Sequence, residues 1–325
     1  MEHLINIVLL GLLMLAGFAI VRTKSLLAVA MLTSIYSLLS ASLFVVLDAV
    51  DVALTEAAIG AGISTILMLA AIALTSDEEK APRHTPLLPL FVVIATGAAL
   101  IYGTLDMPRF GDPAAPAHRH VAPTYLQDTP TAIGIPNVVT SVLASYRSYD
   151  TLGEVTVIFT AGTGVLALLG FRPRRRNTED TGRKKLVILR VVAKLFFPLI
   201  LLFALYVLFH GDYGPGGGFQ AGVIFATGFI LYALAFGLSN SQQLIPHQLL
   251  YVMAAAGVLI YGLVGIASML LGGKFLEYQV LANDPVTGQH VGILLIETGV
   301  AITVAAVVLI IYYGFVSRRP APGDI

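Results

Sequence analysis

Asp51 and Glu56 are carboxylates in the segment DVALTEAAIGAG (51–62), which is otherwise apolar and part of a run long enough to cross a bilayer. An ionised side chain at membrane depth is costly unless it is paired, protonated or turned toward a wet cavity. The chemistry that suits such a position is capture and release of a proton or small cation. The neighbours of Glu56 are small: Ala53, Ala57, Ala58, Gly60, Ala61, Gly62 and Ser64. Ala57 with Ala61, and Ala58 with Gly62, form small-x-x-x-small pairs that let another helix approach closely. Glu56 is read as a protonatable or cation-binding carboxylate in a tight crevice; the other reading is a buried acid bonded to a neighbouring helix. Asp48 reads as a solvated turn or cap residue, and Asp51 is open between the two roles.

Four further features carry chemistry. Glu154 follows Thr151 by three residues, the spacing of a capping box in which the threonine takes an amide and the glutamate reaches back. Glu297 lies seven residues after His290, so two helical turns place both on one face, where they could pass a proton inward. The bland alternative is a solvated histidine and a glutamate bonded to its neighbour. Lys194 follows Arg190 by one turn and precedes Pro198 by another. Arg190 reads as a cation snorkelling to the interface; Lys194 is either the same or a true intramembrane cation. Finally, His210-Gly-Asp-Tyr-Gly-Pro215-Gly216-Gly217-Gly218-Phe219 joins two spans. Three consecutive glycines permit backbone geometry closed to other residues and predict a sharp re-entry that packs against a partner. No Gly-Lys-Ser/Thr follows, so this is not a nucleotide-binding loop.

The elements that must position these groups are membrane helices. The chain has 325 residues, 57% hydrophobic and 12% charged, with mean hydropathy +0.86. Nine spans are expected at about 4–21, 25–47, 51–74, 87–105, 151–171, 186–209, 217–238, 247–271 and 290–315. The first is read as a retained span rather than a signal peptide, because Glu2 and His3 precede it and no small-residue cleavage site follows. The fold class is an all-α polytopic membrane protein in two bundled modules. Alternate loops carry thirteen Lys and Arg on one side, dominated by RPRRRNTEDTGRKK (172–185), against Arg109, Arg119, Arg147 and Lys274 on the other. The positive-inside rule places the N-terminus outside and the C-terminus in the cytoplasm. The expected segments are a three-helix module at 1–80, a second module at 81–172 with a proline-rich external loop at 106–150, a basic linker at 173–185 and a four-helix module at 186–318. With no cysteine, intrinsic iron–sulfur ligation, covalent c-type haem attachment and a thiol nucleophile are excluded. No internal repeat is visible, which argues against a self-contained transporter.

GPGGGFQAGVIFATGFILYALAFG (214–237), preceded by RVVAKLFFPLILLFALYVLFHG (190–211), resembles the B subunit of the Mrp-type multisubunit sodium/proton antiporters and its equivalent in membrane-bound hydrogenases. DAVDVALTEAAIGAGISTILML (48–69) and IPNVVTSVLASYRSYDTLGEVTVIFTAGTGVLALL (135–169) resemble the carboxy-terminal modules of the large A subunit. In one respect the turn differs from the family, which places Gly-His close before it; here His210-Gly211 is followed by Asp212, Tyr213 and Gly214. The resemblance implies a non-enzymatic, cofactor-free subunit of a cell-membrane assembly related to the membrane arm of respiratory complex I. Its partners would be large antiporter-like A and D subunits, small C, E, F and G subunits, sodium, protons and the bilayer, with no nucleic acid and no fixed metal. It also assigns Glu56 and Glu154 to the family's acidic positions. The expected ion-pathway residues are thus Asp51, Glu56, Glu154, Glu297 and Lys194, with Asp51, Glu56 and Glu154 forming a wet crevice. His210 and Pro215 to Phe219 form the turn. A scaffold role, or membership of a redox-driven hydrogenase-like complex, are the alternatives.

Overall fold

The computed structural model describes residues 2–75, 77–79, 87–170 and 187–318, so the basic linker expected at 173–185 lies outside the described residues. Among those described, nine helices are long and apolar enough to cross a bilayer. They are α1 (Glu2–Arg22), α2 (Leu26–Val46), α3 (Val50–Ile72), α4 (Leu87–Thr104), α5 (Ser148–Leu169), α6 (Val187–His210), α7 (Gly218–Phe236), α8 (His247–Leu270) and α9 (Pro285–Val316). No strand forms among the described residues beyond an isolated bridge between Ser25 and Glu78.

Two helix starts differ from expectation, each for a local reason. The last span begins at Pro285, five residues early. Asp284 caps it by accepting the Thr287 amide at 2.8 Å, and proline suits the first helical position, where no amide is needed. Those Thr287 bonds also hold the Asp284 carboxyl below the usual carboxylate range. The capping box expected at Thr151 and Glu154 does not form. A π-helical segment, Val142–Tyr146, leads directly into α5 at Ser148, so Thr151 already lies inside the helix and its hydroxyl donates to the Leu143 carbonyl at 2.8 Å.

The third span is not one regular helix. It is α-helical over Val50–Glu56, π-helical over Ala57–Ile63 and α-helical again over Ser64–Ile72. The wide turn faces α2, where Ser34 donates to the Ala61 carbonyl at 2.9 Å and Ser37 sits against Gly60. Outside interactions of this kind with the carbonyl ladder accompany such irregularities.

The core is centred on α7 and α9, the two most buried spans, while α4 has no buried residue. α9 packs against α5, α7 and α8, and α3 reaches the same centre through α7 and α9. The α8–α9 crossing is a backbone contact: a Cβ on Gly257 would strike the Gly299 carbonyl and Thr303, and one on Gly299 would strike the Gly257 carbonyl. Thr303 secures the crossing by donating to the Ala254 carbonyl at 3.1 Å. At the end bearing the glycine-rich turn, Ser148 joins the hydroxyls of Tyr261 and Tyr278 in a buried network, and burial pushes the Tyr278 phenol above its usual range.

This packing makes a paired prediction. Gly257→Ala should destabilise the protein by about 1–3 kcal/mol through overpacking. Gly262→Ala, on the same helix with open space around its Cα, should be neutral or stabilising because alanine is the better helix former. Thermal aggregation midpoints in detergent, followed by size-exclusion recovery, separate the two.

Candidate functional site

The glycine-rich turn is built by close backbone approach. Gly217 has φ +122°, a conformation that L side chains rarely adopt. A Cβ on Gly218 would collide with Glu297. The Glu297 carboxylate accepts the Gly218 amide and so satisfies a donor that the start of α7 cannot satisfy itself. The Gly217 amide returns to the Val207 carbonyl at 3.1 Å, and His210, stacked on Tyr206, receives the amides of Tyr213 and Gly214 on its carbonyl.

Asn137 holds the turn from the other side. It caps the short helix Val138–Ser141 through its side-chain oxygen, while its amide nitrogen donates to the carbonyls of Gly211 at 3.1 Å and Gly214 at 2.9 Å and to Asp51 at 3.4 Å. Thr140 donates to the Gly211 carbonyl at 2.7 Å. Asp51 also accepts the Gly216 amide at 3.3 Å. One step along α3, Thr55 accepts from Gln220 at 2.8 Å.

Beside these bonds lies a cavity of about 260 Å³, whose walls include Asp51, Thr55, Thr140, Thr151, Glu154, Gly216, Gly217, Phe219, Gln220 and Glu297. Three carboxylates therefore line one space, from α3, α5 and α9. Val52, Val139, Leu143, Val155 and Val300 supply apolar wall. With three carboxylates and the threonines Thr55, Thr140 and Thr151 set in a largely apolar wall, and large enough for several waters, the space can take a hydrated cation or a chain of waters. Among the described residues no group of three or more His, Asp or Glu is placed to chelate a metal ion. Above Glu297, His290 meets not that glutamate but Asp212, at 3.4 Å. Burial raises the Asp212 carboxyl from its usual value, and the nearby His290 partly offsets this.

The other expected residues lie elsewhere. Glu56 is not among the cavity residues; its carboxylate lies over Gly60 near Ser37, on the α2 side of α3. Five helical residues separate it from Asp51, a rotation of about 140°. Lys194 is exposed on α6 away from the cavity, whereas Arg190 donates to the Ala235 carbonyl at 3.3 Å. Asp48 is exposed, with φ +58°, in the turn between α2 and α3. Asn137, Thr140, Gln220 and Asp212 were not singled out from the sequence. Asn137 had a readable signal, an N-cap residue immediately after Pro136 and before Val-Val-Thr. The pairing of the other three with distant segments left no local trace.

Three family descriptions match successive parts of the chain. Residues 11–77 match the MbhD family and residues 89–185 the MbhE family, both of them subunits of the membrane-bound hydrogenase (MBH). Residues 188–310 match the domain related to the MnhB subunit of the Na+/H+ antiporter. A Staphylococcus aureus protein named for the antiporter subunit mnhB2 is 37% identical over 126 residues, 38% of this chain and 89% of that protein. An uncharacterized Methanocaldococcus jannaschii protein is 34% identical over 179 residues, 49% of this chain and 66% of that protein. Among solved structures, a chain of the Mrp complex from Dietzia sp. DQ12-45-1b superposes with TM-score 0.77 and 27% identity over 97% of this chain. The present chain spans only 35% of the length of that one. A chain of the membrane-bound sulfane sulfur reductase, an archaeal respiratory membrane complex, gives TM-score 0.55 and 33% identity, covering 70% of this chain and 96% of its own. Covering 89% of that antiporter subunit protein at 37% identity, and matching the MnhB-related domain over residues 188–310, the chain belongs to the MnhB family of antiporter membrane subunits, and carries MbhD-like and MbhE-like segments ahead of that domain.

Proposed function

We propose that the chain is a membrane subunit of a multisubunit cation/proton antiporter that exchanges cytoplasmic sodium for external protons, with Asp51, Glu154 and Glu297 on the ion route. The observation that carries the reading is the meeting of these three carboxylates, from three sequence-distant helices, in one hydroxyl-lined cavity. Sodium favours an ionised carboxylate and a proton neutralises it, so the two cations compete for the same groups. One charge crossing about 100 mV carries about 2.3 kcal/mol, enough to drive sodium outward where the two occupancies exclude each other. The excess of Lys and Arg on alternate loops supports the cavity facing outward, with the C-terminus in the cytoplasm of a bacterial inner membrane. Glu56 is proposed as a second station, reached from Thr55 on the α2 side, and Lys194 as a gating or relay cation outside the cavity. The division at 80, 172 and 185 into two A-tail-like modules, a linker and a B-like module remains part of this proposal. So do partners of the A, C, D, E, F and G subunit types. The likeness to a sulfane sulfur reductase chain favours a second reading, in which the same module serves a redox-driven complex; the genes adjacent to this one distinguish the two.

In vesicles carrying the complete complex, Asp51→Asn and Glu297→Gln should each lower sodium-dependent proton exchange about tenfold or more, equivalent to about 1.4 kcal/mol, with the complex intact. Glu56→Gln should also lower it. Unchanged exchange in all three variants with normal assembly would place the chain in the scaffold class.

The Asp212–His290 pair generates a pH prediction. His290 lowers the Asp212 pKa against the effect of burial, so His290→Gln should let Asp212 take up its proton at higher pH. The acidic limb of the exchange profile should then move upward in pH. An unmoved limb would remove this pair from the mouth of the route.

A further inference from the structure

Among the described residues, one side of α5 has no partner helix. Its buried face, with Ser148, Val155 and Gly162, turns toward α8 and α9. The opposite face runs through Gly153, Val157, Thr160, Gly164 and Leu168, all exposed. Space around Gly153 and Gly164 is open, with nothing within 4 Å of an added Cβ. Glycine in an exposed helix interior costs about 1 kcal/mol relative to alanine, and a face turned to lipid gains nothing in return. The threonines keep this surface low, since Thr156, Thr160 and Thr163 fold their hydroxyls back onto the carbonyls of Leu152, Thr156 and Phe159 at 2.8, 2.8 and 3.0 Å.

The independent observation is Glu154. It lies on the edge of this face, six residues inside α5, or about 9 Å along the helix axis. Its side chain is exposed and has no hydrogen bond or ion pair to any described residue. It is also part of the cavity wall. A carboxylate facing hydrocarbon at that depth is strongly unfavourable, whereas one facing a cation across a helix interface is not.

We propose that the outward face of α5 seats a membrane-spanning helix of a different subunit, and that this helix presents a lysine or arginine to Glu154. The incoming helix packs on the Gly153–Thr160–Gly164 ridge and closes the cavity on the side where Glu154 stands exposed. This rests on the reading of the chain as one subunit of an assembly, but not on any ion passing through the cavity.

The experiment uses the complete complex in native membranes. A photoreactive phenylalanine replaces Val157 or Leu168 on the face, or Ile158 beside it as a control turned toward the chain's own core. After irradiation, the first two should give one covalent adduct with a single other subunit, mapped by mass spectrometry to a membrane helix with a Lys or Arg within about two turns of the cross-link. Adducts with lipid only, with a second copy of this chain, or with a helix lacking such a residue would overturn the proposal. So would no adduct from either probe while the control labels within the chain. In a second arm, Glu154→Lys should cut recovery of the intact complex about tenfold, and exchanging the partner's basic residue for Glu should restore it; unchanged recovery overturns the pairing. Both arms read contact and assembly. A Glu154→Gln complex that assembles but loses exchange therefore concerns the ion route, whereas failed cross-linking concerns the docking face.

Discussion

Buried irregular backbone must find partners for its amides and carbonyls within the protein, and the turn at 211–217 is governed by that requirement. α9 begins at Pro285 and meets the turn at Glu297, twelve residues or about 18 Å along its axis, so the turn dips well below the head of that helix. Its polar groups are met from three directions. Asn137 and Thr140 take the carbonyls of Gly211 and Gly214, Asp51 takes the Gly216 amide, and Glu297 takes the Gly218 amide. Glycine is needed because backbone and carboxylate come too close for a side chain to intervene. The cavity follows from the same arrangement: the acids that satisfy the turn, Asp51 and Glu297, also line the space beside it.

No residue of α9 beyond Val300 lines that space. Beneath Glu297 the buried residues are Gly299, Val300, Thr303, Val304, Ala305, Ala306, Val307, Leu309, Ile310, Tyr312 and Tyr313; the Thr303 hydroxyl is already bonded to Ala254 and the Tyr313 hydroxyl to Ser241. The Gly257–Gly299 crossing brings two backbones together at the same level. Among the described residues, polar groups lead from the cavity sideways, along α3 through Thr55 or across α5 at Glu154. The three carboxylates are thus suited to an assembly in which neighbouring helices complete the path.

The membrane helices were legible because hydropathy over about 20 residues is a property of each segment alone. The glycine-rich re-entry was legible for the same reason, since three glycines in a row have few structural uses. Which acids share a wall was not. Asp51 and Glu56 read as one cluster in sequence, yet the helical rotation between them sends one to the cavity and the other to Ser37 of α2. Glu297 joins Asp51 only through the tertiary path of the turn. The π-helical stretch at Ala57–Ile63 was equally hidden, because the groups that meet it, Ser34 and Ser37, lie on another helix. The Thr151–Glu154 spacing misled because it satisfies a capping rule at a place where the chain is already helical.

The three segments that match separate family descriptions each give the cavity something the others lack. The first brings Asp51 and Thr55, the second Asn137, Thr140 and Glu154, and the third the glycine turn, Gln220 and Glu297. None of these sets is satisfied alone: without Asn137 the carbonyls of Gly211 and Gly214 lose their side-chain donor, and without Glu297 the first amide of α7 has no acceptor. A buried polar network is worth its full value only when every member is paired, and a half-satisfied one is worse than none. Carrying the three segments on one chain makes their meeting intramolecular, with effective concentrations of the order of millimolar for short connections. It also fixes their ratio at one to one. Assembly of the cavity then depends on folding rather than on encounter, and the steps left to association are those at the outer faces of the bundle.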